Sequence, residues 1–347
     1  MKLNRRMLAQ VRATTRSLWN MGPVSTGAVV QQAMKHASAL NRAAQRQLHD
    51  FGAPLHIPFT PPPTTSPLMP YDTVPGSFFD GSYSNAAGGR DYKLYVPRST
   101  TGAPAPLVIM LHGCGQDPDD FAKGTGMNLL AEEIGCLVLY PAQSSSANPS
   151  RCWNWFNAVD QQRGQGEPSI IAGMTLEIMR EYAVDPAQVY VAGLSAGGAM
   201  ATIMGTQYPD LYAAVGVHSG LPFASANDLS SAMAAMKGDF RRRQVAEGAL
   251  PVIVFHGDRD TTVHPANGDE LVRHLAQPGT AEPGRVPHGH AYTRTLYPDH
   301  DGIVHAEHWL VHGAGHAWFG GNARGSYTDD RGPDASREMM RFFRTRR

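Results

Sequence analysis

The most constraining feature of the sequence is an apolar, β-branched run at residues 189–194 that ends in a G-x-S-x-G motif and continues into a helix of small residues. Glycines flank Ser195 in this motif, because a Cβ at those positions would clash with the neighbouring backbone. A strand, a sharp turn and a helix in this order are typical of a nucleophile elbow, which exposes the serine hydroxyl above the carboxyl end of a sheet. The motif also occurs by chance in glycine-rich turns, but the strand before it and the helix after it favour a catalytic Ser195.

Length and composition fit one large α/β core with additional chain beyond it. The 347 residues are 42% hydrophobic, and the formal net charge is zero. A neutral chain gives no reason to expect nucleic-acid binding. No apolar run approaches the roughly 20 residues that span a bilayer, so we expect no transmembrane segment. Three cysteines cannot all pair; Cys114 and Cys152 can form a disulfide in an oxidising compartment or remain free thiols.

The N-terminal part of the chain differs from the rest. Residues 1–50 carry lysines and arginines but no acidic residue before Asp50. Polar residues interrupt the apolar stretch there, so we expect no classical signal peptide and a cytoplasmic location. The segment is interpreted as a basic extension, either helical and a candidate for contact with an anionic or granule surface, or poorly ordered. Prolines crowd residues 51–76, which predicts a linker, and the catalytic domain is expected at residues 77–347.

Beyond the linker, strand and helix patterns alternate, as a mostly parallel central sheet with helices on both faces requires. The predicted strands cover residues 92–96, 107–111, 136–140, 189–194, 213–217, 252–255 and 307–311, and the predicted helices cover 119–134, 169–182, 196–208 and 334–343. Residues 222–248 interrupt this alternation and are predicted to fold over the site as a cap. The pattern predicts an α/β fold.

A catalytic serine needs a histidine base within hydrogen-bond reach, and the histidine needs a carboxylate partner. In α/β-hydrolase folds the acid and then the base follow the serine along the chain. Two loops that follow predicted strands supply them, so we predict Asp260 as the acid and His316 as the base. Asp258 is the rival acid, but a loop carboxylate so close to a strand end is as often a turn cap.

The remaining histidines have other interpretations. Clustered histidines can ligate zinc, and four lie close together in the sequence: His305, His308, His312 and His316. His308 and His312 lie along a predicted strand and its exit, where their side chains would not converge, and no nearby carboxylate completes a set of ligands. We therefore predict no metal and no other cofactor. Three further histidines end predicted strands and are expected to pack and to bond to backbone: His112, His218 and His256.

The oxyanion of an ester intermediate needs preorganised N–H donors. We predict the backbone N–H of Ala196 and that of Cys114, which lies in a glycine-rich loop after a predicted strand; as a nucleophile Cys114 would lack an elbow. Residues 151–156 include two tryptophans that either stack on substrate or anchor their loop to the core. The candidate substrate-binding residues are Gln116, Trp153, Trp155 and Trp318.

Six motifs follow one another along the chain: L-H-G-C-G-Q at 111–116, R-C-W-N-W-F at 151–156, G-L-S-A-G-G at 193–198, H-G-D-R-D-T-T-V at 256–263, G-A-G-H-A-W at 313–318 and S-Y-T-D-D-R-G-P-D-A-S at 326–336. Together they resemble the polyhydroxybutyrate (PHB) depolymerase family of esterases, which is related to feruloyl and acetylxylan esterases. The resemblance covers roughly residues 77–345 and implies an α/β-hydrolase fold. It places the family's nucleophile, acid and base at Ser195, Asp260 and His316.

The resemblance also implies a reaction and a substrate class. It predicts hydrolysis of carboxylic esters through an acyl-enzyme, on short-chain polyhydroxyalkanoate polymer or oligomers, or on plant-polysaccharide esters. Family members that act on extracellular polymer normally carry a secretion signal and often a polymer-binding domain, and neither is evident in this sequence. A serine peptidase, an acyltransferase and a non-catalytic granule-binding protein are the other classes that stay open, because a fold does not determine its substrate.

Overall fold

The computed structural model describes residues 74–99, 102–239, 250–273, 279–299 and 301–345. The basic extension predicted at residues 1–50, and nearly all of the linker predicted at 51–76, lie outside these ranges. The predicted domain boundaries, and the contact of the extension with an anionic or granule surface, therefore stay predictions.

The described residues form one large sheet of ten strands. In chain order these are β1 (Ser77–Asn85), β2 (Gly88–Val96), β3 (Ala105–Leu111), β4 (Leu137–Pro141), β5 (Val184–Leu194), β6 (Ala214–His218), β7 (Val252–Gly257), β8 (Ala281–Arg285), β9 (Ala291–Pro298) and β10 (Val304–Val311). Across the sheet the order is β1-β2-β4-β3-β5-β6-β7-β10-β9-β8. The six strands from β4 to β10 in this order pair in parallel, whereas the outer strands pair antiparallel. The predicted mostly parallel sheet is confirmed.

Helices cover both faces of this sheet, which explains why its central strands are continuous apolar runs. In β3 every residue from Leu107 to Leu111 is fully buried. Leu107 and Ile109 belong to one cluster of buried side chains, and Val108 and Met110 belong to the other. This alternation is the twofold period of a strand with a core on each side.

The described chain contains seven α-helices: α1 (Pro118–Thr125), α2 (Met127–Ile134), α3 (Gly166–Glu181), α4 (Ala196–Gln207), α5 (Leu229–Met236), α6 (Ala266–Arg273) and α7 (Ala335–Arg344). A 3₁₀ turn covers Ala158–Gln161, and two short strands, β11 (Trp318–Phe319) and β12 (Thr328–Asp329), pair with each other. No helix in the described ranges has the length and apolar character that a membrane span requires.

The single helix predicted at residues 119–134 is wrong. Gly126 has φ 64°, in the left-handed region, and separates α1 from α2. Its backbone N–H donates to the carbonyl oxygen of Ala122 and ends α1. A glycine adopts this conformation without the steric cost that a Cβ would impose, so it stops a helix that the apolar pattern alone would continue.

The predicted cap at residues 222–248 is described as far as residue 239. Its described part contains α5, whose end bonds to the loop after β7 and to the start of α6. The His264 N–H donates to the Met236 carbonyl oxygen at 2.8 Å, and the Asn267 side chain donates to the Ala235 carbonyl oxygen at 2.9 Å. Residues 240–249 lie outside the described ranges, so a cover over the site stays a prediction.

Candidate active site

Ser195 lies in the sharp turn between β5 and α4. Its φ is 57° and its ψ is −118°, a backbone conformation that costs a non-glycine residue free energy and that is concentrated at functional sites. A Cβ on Gly193 would clash with the backbone of Gly197, and a Cβ on Gly197 would clash with the carbonyl oxygen of Leu111. The two flanking glycines are therefore required by close backbone packing, as expected for an elbow. Ser195 itself is half-buried.

Asp260 and His316 lie together, although 56 residues separate them. His316 Nδ1 is 2.6 Å from Asp260 Oδ2, a short hydrogen bond in which the imidazole donates to the carboxylate. Because Nδ1 carries the proton, Nε2 of a neutral His316 is left with a lone pair that can accept one. The Asp260 side chain is fully buried, and that of His316 is 11% exposed. The base is thus oriented by a buried acid and still has access to a reactant.

The Asp260 carboxylate is held on both oxygens. Its Oδ1 accepts the backbone N–H groups of Thr262 and Val263, each at 2.8 Å. Burial alone would raise the pKa of Asp260, but contacts with His256, His316 and the Val263 N–H hold that pKa well below its usual range. Asp260 therefore stays ionised across the pH range in which a histidine base works.

Asp258, the rival acid, contacts a different histidine. Its Oδ2 lies 3.1 Å from His312 Nδ1, and its Oδ1 accepts the Gly313 N–H at 2.7 Å. Asp258 is also partly exposed, with 35% of its side chain accessible. It stabilises the start of the loop that carries His316, whereas Asp260 contacts His316 itself.

His218, the last residue of β6, contacts both the turn that carries Ser195 and the segment that follows His316. Its carbonyl oxygen accepts the Ser195 N–H at 2.9 Å, and its ring stacks on Trp318 with 5.0 Å between centroids. The ring nitrogen Nε2 accepts the Phe319 N–H at 3.0 Å, so it is unprotonated. His218 thereby links the end of β5 to the segment that follows His316.

The other two strand-end histidines also have the predicted packing role. His112 Nδ1 donates to the Gly113 carbonyl oxygen, and its Nε2 accepts the Gln143 N–H. Nε2 of His256 donates to the Val263 carbonyl oxygen. Both rings are buried, and burial lowers the pKa of His112 to about 4. Backbone bonding at buried strand ends, predicted for His112, His218 and His256, is confirmed.

The two predicted oxyanion donors are available. In the described part of the chain, neither the Cys114 N–H nor the Ala196 N–H donates to a protein oxygen. Ala196 is the first residue of α4, where a free N–H and the positive end of the helix dipole coincide. Their role in holding an oxyanion stays a prediction.

A disulfide and a side-chain clamp constrain the loop that contains Cys114. Cys114 is bonded to Cys152, and this answers a question that the sequence left open. Gln116 is 2% exposed; its Oε1 accepts the Gly113 N–H, and its Nε2 donates to Asp120 and Ser326. Gln116 therefore braces the loop from inside, and its predicted contact with substrate stays a prediction.

The three tryptophans that were candidates for substrate contact are buried in this structure. Trp153 is 0%, Trp155 6% and Trp318 1% exposed. The indole N–H of Trp153 donates to the His112 carbonyl oxygen, and that of Trp318 donates to Ser336 Oγ. For Trp153 and Trp155, this burial favours anchoring of their loop to the core over stacking on substrate.

The side chain that holds the loop at residues 151–156 in place was missed in the sequence analysis. Glu167, at the start of α3, is buried, and burial raises its pKa. Its carboxylate accepts both the backbone and the side-chain N–H of Asn154, and it pairs with Arg90 at 3.2 Å. Gln143 also donates to it. Nothing in the local sequence around Glu167 distinguishes it from a surface residue of a helix, so no signal was available.

Among the described residues no group of three or more histidines, cysteines or acidic residues is arranged to hold a metal ion. Three of the four histidines considered for zinc have separate surroundings: His308 is buried beside Asp269, His312 pairs with Asp258 and His316 pairs with Asp260.

Comparison with known proteins identifies the family. The model of the family described as Esterase PHB depolymerase matches residues 90–279. Poly(3-hydroxyalkanoate) depolymerase C of Paucimonas lemoignei is 32% identical over 243 residues, which are 64% of this chain and 57% of that protein. Feruloyl esterase B of Thermothelomyces thermophilus is 30% identical over 59% of this chain and 77% of its own length. The match thus spans little more than half of the depolymerase.

A solved structure shows the same fold. The acetyl xylan esterase from Aspergillus awamori superposes with a TM-score of 0.63 at 21% identity, covering 77% of this chain and 99% of that one. The predicted α/β-hydrolase fold and the predicted family are both confirmed. This chain belongs to the family of PHB-depolymerase esterases.

Proposed function

We propose that this protein is a serine carboxylic-ester hydrolase that acts through Ser195, His316 and Asp260, with short-chain polyhydroxyalkanoate (hydroxybutyrate) polymer or oligomers as its substrate. The observation that carries the proposal is the 2.6 Å contact between His316 and the buried Asp260, in loops that leave the same edge of the sheet as Ser195. The depolymerase among the relatives supports the substrate class.

The reaction proceeds by two acyl transfers. His316 Nε2 takes the proton of the Ser195 hydroxyl as the oxygen attacks the ester carbonyl, and Asp260 stabilises the imidazolium that forms. The Cys114 and Ala196 N–H groups bind the oxyanion. His316 then protonates the leaving alcohol, and an acyl-enzyme remains on Ser195. Water, deprotonated by His316, attacks the acyl-enzyme, releases the carboxylic acid and restores the serine.

The first prediction tests the nucleophile. Ser195→Ala is expected to reduce hydrolysis of p-nitrophenyl butyrate by at least about 10⁴-fold, because no other group replaces the attacking oxygen. Labelling by a fluorophosphonate probe should be lost as well, while thermal unfolding stays close to that of the wild type. Ser84→Ala, in the edge strand β1, is the matched control and should keep both the hydrolysis of p-nitrophenyl butyrate and the labelling. Substantial hydrolysis by the Ser195 variant would contradict the proposal.

The substrate class is tested with a panel of hydroxybutyrate oligomers, polymer films, methyl ferulate and acetylated xylan. We expect the highest kcat/KM with hydroxybutyrate oligomers. A preference for methyl ferulate or acetylated xylan would instead assign the site to plant-polysaccharide esters, as in the feruloyl esterase among the relatives. Matched amide substrates and an added acceptor alcohol separate hydrolysis of esters from peptidase and acyltransferase activity.

A further inference from the structure

His256 lies beside the candidate acid and faces the same carboxylate oxygen, Oδ2, that His316 contacts. It is in β7, four residues before Asp260, and its side chain is completely buried. His256 Nε2 lies 2.8 Å from the Val263 carbonyl oxygen and 3.5 Å from Asp260 Oδ2. The first distance is a good hydrogen bond, and the second is at the outer limit of one, so it acts mainly as a charge–dipole contact.

The tautomer of His256 follows from these neighbours. Both oxygens near Nε2 are acceptors, so Nε2 carries the proton. Nδ1 has no hydrogen-bond partner among the described residues, which fits a lone pair better than a buried, unpaired N–H. His256 therefore presents a fixed N–H dipole to the acid.

The ring of His256 packs closely against helix α6. Gly268, in α6, packs against it so closely that a Cβ there would lie 2.9 Å from His256 Nδ1 and 3.0 Å from His308 Nε2. Because glycine has no side chain, the helix can lie directly over both rings. The orientation of the His256 N–H is therefore set by this packing together with its hydrogen bond to the Val263 carbonyl oxygen.

Val263 closes a small ring of contacts around the acid. Its N–H donates to Asp260 Oδ1, and its carbonyl oxygen accepts the His256 N–H. Asp260 Oδ2 in turn faces both His256 and His316. The turn that carries the acid is thus bound on one side to β7 through His256, and rotation of the carboxylate away from His316 would break contacts on both oxygens.

We infer that His256 is a positioning residue, whose Nε2–H fixes the Asp260 carboxylate against His316 and reduces the charge that this carboxylate presents to the base. This inference rests on the proposed catalytic roles of Asp260 and His316. The titratable groups that face the Asp260 carboxylate are His256, His316 and, at the end of the neighbouring strand β6, His218. His256 itself also faces His218, His308 and Asp269.

Two substitutions of His256 by amide side chains test whether the residue acts through its N–H or only through packing. In His256→Gln the amide Nε2 falls near the position of the imidazole Nε2 and can donate to Val263 and Asp260, whereas in His256→Asn the shorter amide reaches only the position of Nδ1. We expect His256→Asn to lower kcat about 10–100-fold with little change in KM, as is typical when a group that orients a reactive side chain is lost. His256→Gln should recover most of this loss.

The pH profile provides a readout that packing alone would not change. Without the N–H dipole, Asp260 stabilises the imidazolium of His316 more strongly, so the acidic limb of kcat against pH should move to higher pH in His256→Asn and return in His256→Gln. His308→Asn is the matched control. His308 is buried on the same face of the sheet in β10 and also touches Gly268, but its ring contacts Asp269. This control should be less stable than the wild type, but the acidic limb of its kcat–pH profile should stay at the wild-type pH.

The possible outcomes are distinct. If His256→Asn and His256→Gln have the same kcat and the same acidic limb, or if His308→Asn moves the limb equally, the inference is wrong. Failure of the proposed function itself has another signature, since wild-type protein would then not be labelled by a fluorophosphonate at Ser195. Labelling of the folded His256 variants, followed by intact-mass measurement, counts their active sites and corrects kcat for any misfolded fraction.

Discussion

Two carboxylates that are two residues apart on one loop bind different histidines. Asp260 is buried and contacts His316, whereas Asp258 is partly exposed and contacts His312. The neighbours of each carboxylate explain the difference. Asp260 points inward and accepts the N–H groups of Thr262 and Val263, while Asp258 reaches outward to the Gly313 N–H. At the scale of single residues, side-chain direction decides which carboxylate can serve the base.

We predict that Asp260→Asn lowers kcat about 10³–10⁴-fold, because an amide in this position can donate to Nδ1 and favours the histidine tautomer that cannot accept the serine proton. The measurement is kcat for p-nitrophenyl butyrate, with thermal unfolding as a check on the fold. Asp258→Asn serves as the control and should retain most of the activity. Greater loss in the Asp258 variant than in the Asp260 variant would reverse the assignment of the acid.

At the scale of elements, the site depends on how the loop after β3 is held. Gln116 clamps this loop from inside, and the disulfide ties it to the loop that follows β4. The bonded cysteines are 38 residues apart, and the described chain has a third cysteine, Cys136, that is buried and free. The disulfide therefore joins the candidate oxyanion donor Cys114 to the loop that carries the two tryptophans.

Replacement of both Cys114 and Cys152 by alanine should lower the free energy of unfolding by about 2–4 kcal/mol, since a cross-link over a loop of this length restricts the unfolded chain. We also expect kcat to fall, because the Cys114 N–H loses its constraint. Thermal melts with and without dithiothreitol provide the measurement. Reductant should destabilise the wild type and Cys136→Ala, and it should leave the double variant unchanged. An equal response of all three proteins to reductant would show that the disulfide does not contribute.

At the scale of the whole molecule, buried neutral histidines connect stability to pH. Burial lowers the pKa of His112 to about 4 and that of His308 to about 3, from an ordinary value of 6.5, and it also lowers the pKa of His218. In the unfolded chain these groups take up protons near pH 6.5, whereas the folded protein resists protonation until the lower values. Between these limits the unfolded state binds more protons, so stability decreases as pH falls.

We predict that the melting temperature decreases steadily between about pH 7 and pH 5, because the free energy of unfolding decreases by up to about 1.4 kcal/mol per pH unit for each buried histidine. Thermal unfolding at several pH values measures this slope. His112→Asn should be less stable than the wild type at neutral pH but should show a smaller slope, because one group no longer titrates. His288→Asn, at an exposed position, is the control and should keep the wild-type slope. A melting temperature that is constant over this range would contradict the prediction.

The sequence alone determined the elements whose signals are local. The apolar runs of the central strands and the elbow around Ser195 are short-range patterns, and neighbouring residues suffice to specify them. The outer strands β1, β8 and β9 were missed, because they are partly exposed and lack a continuous apolar run. The motifs also placed His316 and Asp260 on loops at one edge of the sheet, which follows from parallel strand direction alone.

Only the tertiary structure decided which partners meet. Asp260 rather than Asp258 contacts His316, Cys114 bonds to Cys152, the tryptophans turn inward, and His256 reaches the acid. Each of these contacts joins loops or side chains whose directions depend on turns, on burial and on the helices that pack above them. Such directions are set by close packing among residues far apart in the chain, and a pattern of residue types along the sequence does not contain them.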